Sequence, residues 1–223
     1  MSIQANVQFL LAELPPEVTI VAAAKGRTSE ECREAINAGI KLIGENYLQE
    51  AERVEQSLLK VAKWHFIGHL QRNKVRKAVQ MFDMIQTLDS SRLAQDIERH
   101  CAHFGKVMPV LCEVNIAEEQ RKYGINPGDL EKFLRDISSL EHIQVMGLMT
   151  MGPRVNEPEA IRPLFKQARE LFLAIKQLAI PGITMEYLSM GMSDTYRVAV
   201  EEGANMIRLG SKIFGELDSP VSS

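Results

Sequence analysis

Short apolar runs alternate along the chain with longer stretches of helical periodicity, from Val18 almost to the C-terminal end. The runs extend over Val18 to Ala24, Lys41 to Glu45, Trp64 to Gly68, Phe82 to Leu88, Val107 to Asn115, Ile143 to Met149, Thr184 to Ser189 and Asn205 to Leu209. Each is of strand length and close to continuously apolar, as expected of strands covered on both faces of a parallel sheet. Between them lie charged, periodic segments: Ser29 to Ala38, Gln49 to Leu59, Ser91 to His103, Pro127 to Leu140, Glu157 to Leu178 and Asp194 to Glu202. These read as helices. Thr28-Ser29, Ser90-Ser91 and Ser193-Asp194 supply N-terminal caps, while Gly39, Gly105 and Gly203 follow helical stretches. Some eight strand–helix cycles in a chain of 223 residues favour closure into a single (β/α)8 barrel over an open sheet. The expected organisation is one domain over residues 1–223, with an N-terminal helix within 1–16 packed on the barrel and a tail over 217–223.

Composition changes this picture little but removes several function classes. The apolar fraction is 45% and the charged fraction 25%, ordinary for a chain that buries a large core. A net charge of -3 gives no basic face for nucleic acid, and the one basic cluster, Arg72, Lys74, Arg76 and Lys77, falls at a predicted helix start. Cys32, Cys101 and Cys112 are odd in number and widely spaced, which argues against disulfides and structural zinc. The first residues lack the cationic start and apolar centre of a signal peptide, and no apolar stretch is long enough to span a bilayer. The expectation is a cytoplasmic monomer without membrane or nucleic-acid partners.

Candidate chemistry sits where a barrel of this type carries it, at the C-terminal ends of the strands. The first run ends on Lys25, the second on Glu45-Asn46, the third on His69, the fifth on Asn115 and the seventh on Ser189, while the eighth carries Arg208 ahead of Gly210-Ser211. A lysine at the rim of an apolar barrel is expected to be desolvated, which favours its neutral, nucleophilic form. An isolated lysine there more often snorkels to solvent. Ser189-Met-Gly191-Met-Ser193-Asp194 and Arg208-Leu-Gly210-Ser211 follow strands seven and eight, where barrels commonly cradle phosphate on glycine backbone and hydroxyls. The plainer reading makes Ser193 a helix cap and Gly210 a turn residue. His65 and His69 would stand about 13 Å apart on a strand, too far to share a metal ion. Nucleotide-binding glycine loops of the dinucleotide or P-loop type do not occur.

These residues resemble the pyridoxal phosphate homeostasis family. The resemblance is carried by Ile20 to Lys25, Ile43-Gly-Glu-Asn-Tyr47 with Gln49-Glu50, Trp64 to Lys74, Gly147-Leu-Met149, Leu188-Ser-Met-Gly-Met-Ser-Asp194 and Ile207-Arg-Leu-Gly210 with Ile213-Phe-Gly215. The family is similar to the barrel domain of alanine racemase. The resemblance implies pyridoxal 5′-phosphate (PLP) held as a Schiff base on Lys25. It implies a phosphate site from Ser189, Gly210 and Ser211 with Gly191 beside them, Arg208 facing the pyridine nitrogen, and Asn46 and His69 near the ring. Because guanidinium offers only donors, that nitrogen would be an unprotonated acceptor and the ring a poor electron sink. The implied function is a PLP-binding homeostasis protein without strong catalysis, affecting amino-acid and keto-acid balance, with apo forms of PLP enzymes as recipients. A PLP racemase or decarboxylase is the enzyme alternative. It would require a second domain and a partner tyrosine, whereas nine residues follow Phe214. A Schiff-base aldolase is the third reading and predicts no bound chromophore.

Overall fold

The computed structural model describes residues 2–58, 61–119, 123–153 and 155–217. Its strands are β1 (Thr19–Ala23), β2 (Leu42–Glu45), β3 (Lys63–Phe66), β4 (Met84–Leu88), β5 (Met108–Val114), β6 (Ile143–Thr150), β7 (Ile183–Ser189) and β8 (Met206–Leu209). All pair in parallel and in sequence order, and β8 pairs with β1 to close the barrel. The expected (β/α)8 architecture is therefore present, with one strand on each of the eight apolar runs, β3, β6 and β7 each extending one residue past theirs.

Parallel neighbours require crossovers, which are α2 (Ser29–Asn37), α3 (Leu48–Leu58), α4 (Val75–Met81), α5 (Ser91–Phe104), α6 (Leu130–Ile137), α7 (Arg162–Gln177) and α8 (Tyr196–Glu201). A short α9 (Ser211–Phe214) follows β8, and α1 (Ile3–Glu13) precedes β1 and packs on α2 and α9. Leu59 and tail residues 218–223 lie outside the described residues. The cap chemistry acts where the residue types suggest. Thr28 and Glu31 form a reciprocal capping box on α2, Ser90 caps α5, and Gly105 ends α5 in the left-handed region. Ser193 is not the cap of α8, which starts at Tyr196, two residues later than expected, with Thr195 at its N-cap position.

Strand alternation divides the core in two. Ile43, Phe66, Ile85 and Val110 pack outward with the helices, while Val21, Leu42, Ile67, Met84, Leu111, Met149 and Met206 fill the barrel interior. Near the mouth the interior turns polar, through buried His65, Gln86, Glu113, Ser189 and Arg208. Of the basic cluster, Arg72 pairs with Asp96 and Lys77 with Glu52. Among the described residues, no helix is long and apolar enough to cross a membrane, and no group of three or more His, Cys, Asp or Glu side chains could hold a metal.

Candidate functional site

The C-terminal ends of β1, β2 and β8, with the loops after β3, β6 and β7, enclose a cavity of about 500 Å³. Ala23, Asn46, Ile67, Ser193, Arg208 and Gly210 line it, and Met151, Pro153, Val155 and Asn156 close one side. A larger cavity of about 660 Å³ lies at the opposite end of the barrel among Lys41, Lys63, Asp83 and Lys106. It gathers none of the strand-end residues, and the Lys106 ammonium there donates to the Val79 and Phe82 carbonyls. The mouth cavity has the chemistry.

Arg208 brings a buried cation to that cavity. Its Nη1 donates to Ser189 Oγ at 2.7 Å and its Nη2 to the Thr150 carbonyl at 2.8 Å. Burial pulls the guanidinium down to about 10, opposed by the Glu113 carboxyl, so it stays protonated at neutral pH. Glu113 is itself pushed up to about 7, first by burial and then by Asp89, with Arg208 acting the other way. Beside Arg208, Ser193 Oγ accepts the backbone N–H groups of Gly210 at 3.2 Å and Lys212 at 3.3 Å. This pins the loop after β7 to the start of α9. A hydroxyl accepting two N–H groups still has its own proton to donate.

The other expected residues occupy several layers. Asn46 lines the cavity and also borders a second hollow of about 390 Å³ that contains Tyr47, His69 and Lys74. Lys25 stands exposed at the rim, its ammonium 5.5 Å from the Tyr47 ring centroid. The desolvation expected from sequence is therefore absent in this arrangement: the strand ends at Ala23, and Lys25 is already beyond the apolar wall. His69 is also at the rim, stacked on Tyr123 at 3.6 Å between centroids, and Asp89 lies 3.6 Å from its Nδ1.

Ser189 is not brought to the cavity lining. Its hydroxyl is fully buried inside the barrel, accepting from Arg208 and donating to Gln86 Oε1 at 2.8 Å. Gly191 is explained by packing: its φ is +92°, and a Cβ there would stand 2.5 Å from the Ala199 Cβ on α8. Ser211 is half-buried at the first position of α9.

A family model described as "Alanine racemase, N-terminal domain" matches residues 1–218. A pyridoxal phosphate homeostasis protein of Aquifex aeolicus is 37% identical over 88% of this chain and 86% of its own length. The chain belongs to the pyridoxal phosphate homeostasis protein family. A solved structure, PipY of Synechococcus elongatus with PLP bound, is 35% identical, covers 96% of this chain and 100% of its own, and has a TM-score of 0.89. An alanine racemase of Clostridium difficile has a TM-score of 0.82 at 14% identity, covering 98% of this chain and 57% of the racemase. It shares the fold.

For this pyridoxal phosphate homeostasis family member, several site residues were missed by reasoning from sequence. Ser193 was assigned to a helix cap although it lies in the motif that carries the family resemblance. Sequence reasoning places Gln86 only within a strand and considers His65 only as a metal ligand with His69, because nothing in a strand sequence says which distant strand an inward side chain will meet. Glu50 and Arg27 fix the loop that carries Lys25. The Gly26 N–H donates to Glu50 Oε2 at 3.0 Å, and Arg27 donates to the Phe214 and Gly215 carbonyls.

Proposed function

We propose that this chain binds PLP in the mouth cavity and holds it for delivery to apo forms of PLP enzymes, rather than turning over a substrate. The observation that carries the reading is the buried Arg208 guanidinium in the cavity beside the Ser193–Gly210 junction. The donor set fits the group. Ser193 keeps its hydroxyl proton to donate and Ser211 carries a backbone N–H at the start of α9, donors suited to a phosphate dianion. A side chain on Gly210 would project toward the end of β1, 3.5 Å from the Ala23 carbonyl, so glycine keeps that wall open. Ala23, Ile67 and Met192 provide apolar surface for an aromatic ring. Lys25, two residues beyond Ala23, is the amine for the aldehyde, once its side chain turns from Tyr47 toward the cavity.

When bound, PLP supplies an electrophilic aldehyde and an electron-withdrawing ring. The residues of this chain restrain the second property. Arg208 has only protons to give, so it pairs with an unprotonated ring nitrogen and cannot add a proton to it. Two-base racemisation needs proton acceptors on both faces of a substrate carbon. Of the four tyrosines, Tyr196 donates to Glu13, Tyr123 stacks on His69, and Tyr187 packs with the barrel interior. Tyr47 lies beside Lys25, its ring centroid 5.5 Å from the ammonium.

Borohydride reduction of the PLP-loaded protein, followed by peptide mass mapping, tests the reading. The phosphopyridoxyl group is expected on Lys25; finding it on another lysine with Lys25 unmodified would overturn the assignment. A colourless protein that does not take up PLP would instead favour the aldolase reading. The holding role is checked by α-proton exchange of alanine, serine and glutamate in deuterated solvent. Exchange at ordinary enzyme turnover, about 1–10³ s⁻¹, would favour the racemase.

A further inference from the structure

Four side chains form a line across the barrel interior: Arg208 on β8, Ser189 on β7, Gln86 on β4 and His65 on β3. Arg208 can only donate, so Ser189 Oγ must accept from Nη1, and the Ser189 proton needs another acceptor. Gln86 Oε1 provides it at 2.8 Å. The Gln86 amide nitrogen then faces His65 Nδ1 at 2.9 Å and the Met206 sulfur at 3.2 Å, both acceptors. Turning the amide by half a rotation would set its oxygen against the sulfur and leave the Ser189 proton without an acceptor. One orientation gives Ser189 Oγ, both polar atoms of the Gln86 amide and His65 Nδ1 a partner. His65 Nδ1 accepts, so the imidazole is neutral with its proton on Nε2. Burial and the nearby Lys63 act in the same direction, pulling its pKa down to about 3. All the hydrogen bonds run one way, from the cation to the imidazole.

We propose that His65, Gln86 and Ser189 are positioning residues that lock the Arg208 guanidinium into the orientation in which it meets the ring nitrogen of PLP. The ligand half of this inference rests on the cofactor reading above; the orienting half does not. An arginine side chain has many rotamers, and a donor already fixed before the ligand arrives loses less entropy on binding. The Thr150 carbonyl holds Nη2 and the relay holds Nη1, so two contacts from different strands set the plane of the guanidinium. His65, Gln86 and Ser189 are all absent from the cavity lining, so any effect they have on the ligand passes through Arg208.

Nitrogen-15 NMR of the ligand-free protein tests the orienting half directly, because rotation about the guanidinium bonds exchanges the Nη resonances. Slow rotation of Arg208 is expected in the native protein, and faster rotation in Ser189→Ala and His65→Leu. His65→Asn, whose side-chain oxygen can take the place of Nδ1, should retain slow rotation. Unchanged Arg208 rotation in both disrupting variants would overturn the proposal, whatever happens to ligand binding. Affinity for PLP should fall about tenfold in Ser189→Ala and His65→Leu, while affinity for inorganic phosphate should stay constant, because Arg208 is assigned to the ring end. Equal losses for both probes would mark a general loosening of the mouth and would also overturn it. If the native protein bound phosphate but not PLP, the cofactor reading would fail, and with it the ligand half, while Arg208 rotation would still decide the relay. Ser189→Ala removes one oxygen atom and serves as the milder variant should His65→Leu fail to fold.

Discussion

Ser193 joins the two loops that the phosphate reading requires, because its oxygen accepts N–H groups from both Gly210 and Lys212. Ser193→Ala leaves those two donors unpartnered and removes a third donor from the cavity. A hydrogen bond to a charged group contributes about 1.5–3 kcal/mol, so the variant is expected to bind PLP at least tenfold more weakly, measured by equilibrium dialysis. Unchanged affinity would place the phosphate elsewhere. The contrast with Ser189 shows how much of the site was readable. Both serines belong to one motif, and choosing Ser189 followed from its position at the end of an apolar run. Strand parity was the overlooked signal: Ser189 shares a face with Tyr187, whose packing is with the interior cluster, so its hydroxyl points into the barrel. Ser193 lies beyond the strand, and its contacts depend on how the next strand's loop returns. Arg208 and Gly210 line the cavity and Lys25 stands at the rim because each directly follows or belongs to a strand whose end the apolar pattern marks.

At the scale of elements, the loop from β1 to α2 is held at three points: the Glu50 carboxylate on Gly26, the Arg27 bonds to the end of α9, and the Thr28–Glu31 capping box. Lys25 is thus a flexible side chain on a fixed backbone. Thr28→Ala is expected to cost about 1 kcal/mol of stability, a fall in melting temperature of roughly 2–4 °C, measurable by calorimetry. The turn after β7 is more demanding. At Gly191 the positive φ and the 2.5 Å approach of Ala199 act together, so Gly191→Ala should destabilise by about 2 kcal/mol or more, read from the denaturant midpoint. A loss below about 0.5 kcal/mol, the usual range for surface changes, would show that α8 can shift to accommodate a methyl group. Strands and long helices were legible from period and caps. The short α9 was not, because four residues do not complete a periodic pattern, and its start on Gly210 is made by contacts with Ser193 rather than by a local cap.

For the whole molecule, two buried carboxyls give the fold a pH dependence of definite sign. Glu45 is fully buried with neither oxygen in a well-formed hydrogen bond, and burial, then the charge of Glu50, pushes it up to about 8 against the lesser opposing pull of the Asn46 backbone. Glu113 is raised to about 7. In the unfolded chain both titrate near the ordinary carboxylate value of about 4.3. Between that value and the raised one the folded state binds more protons than the unfolded state, so stability falls as pH rises through this window. Their contribution is fully present below about pH 4 and is lost as pH passes about 7 for Glu113 and about 8 for Glu45. Glu45→Gln keeps the shape and removes the ionisation. Melting curves from pH 5 to pH 9 should show the native protein losing stability toward the alkaline end, with Glu45→Gln flatter and more stable by several degrees at the top of the range. Glu113→Gln should flatten the curve over a lower interval, but it also removes the carboxyl that faces Arg208. Its gain should therefore be smaller, since an unopposed buried cation offsets it. A native protein more stable at pH 9 than at pH 6, with a Glu45→Gln curve of the same slope, would show that Glu45 is ionised in the fold and partnered by a group that compensates its burial.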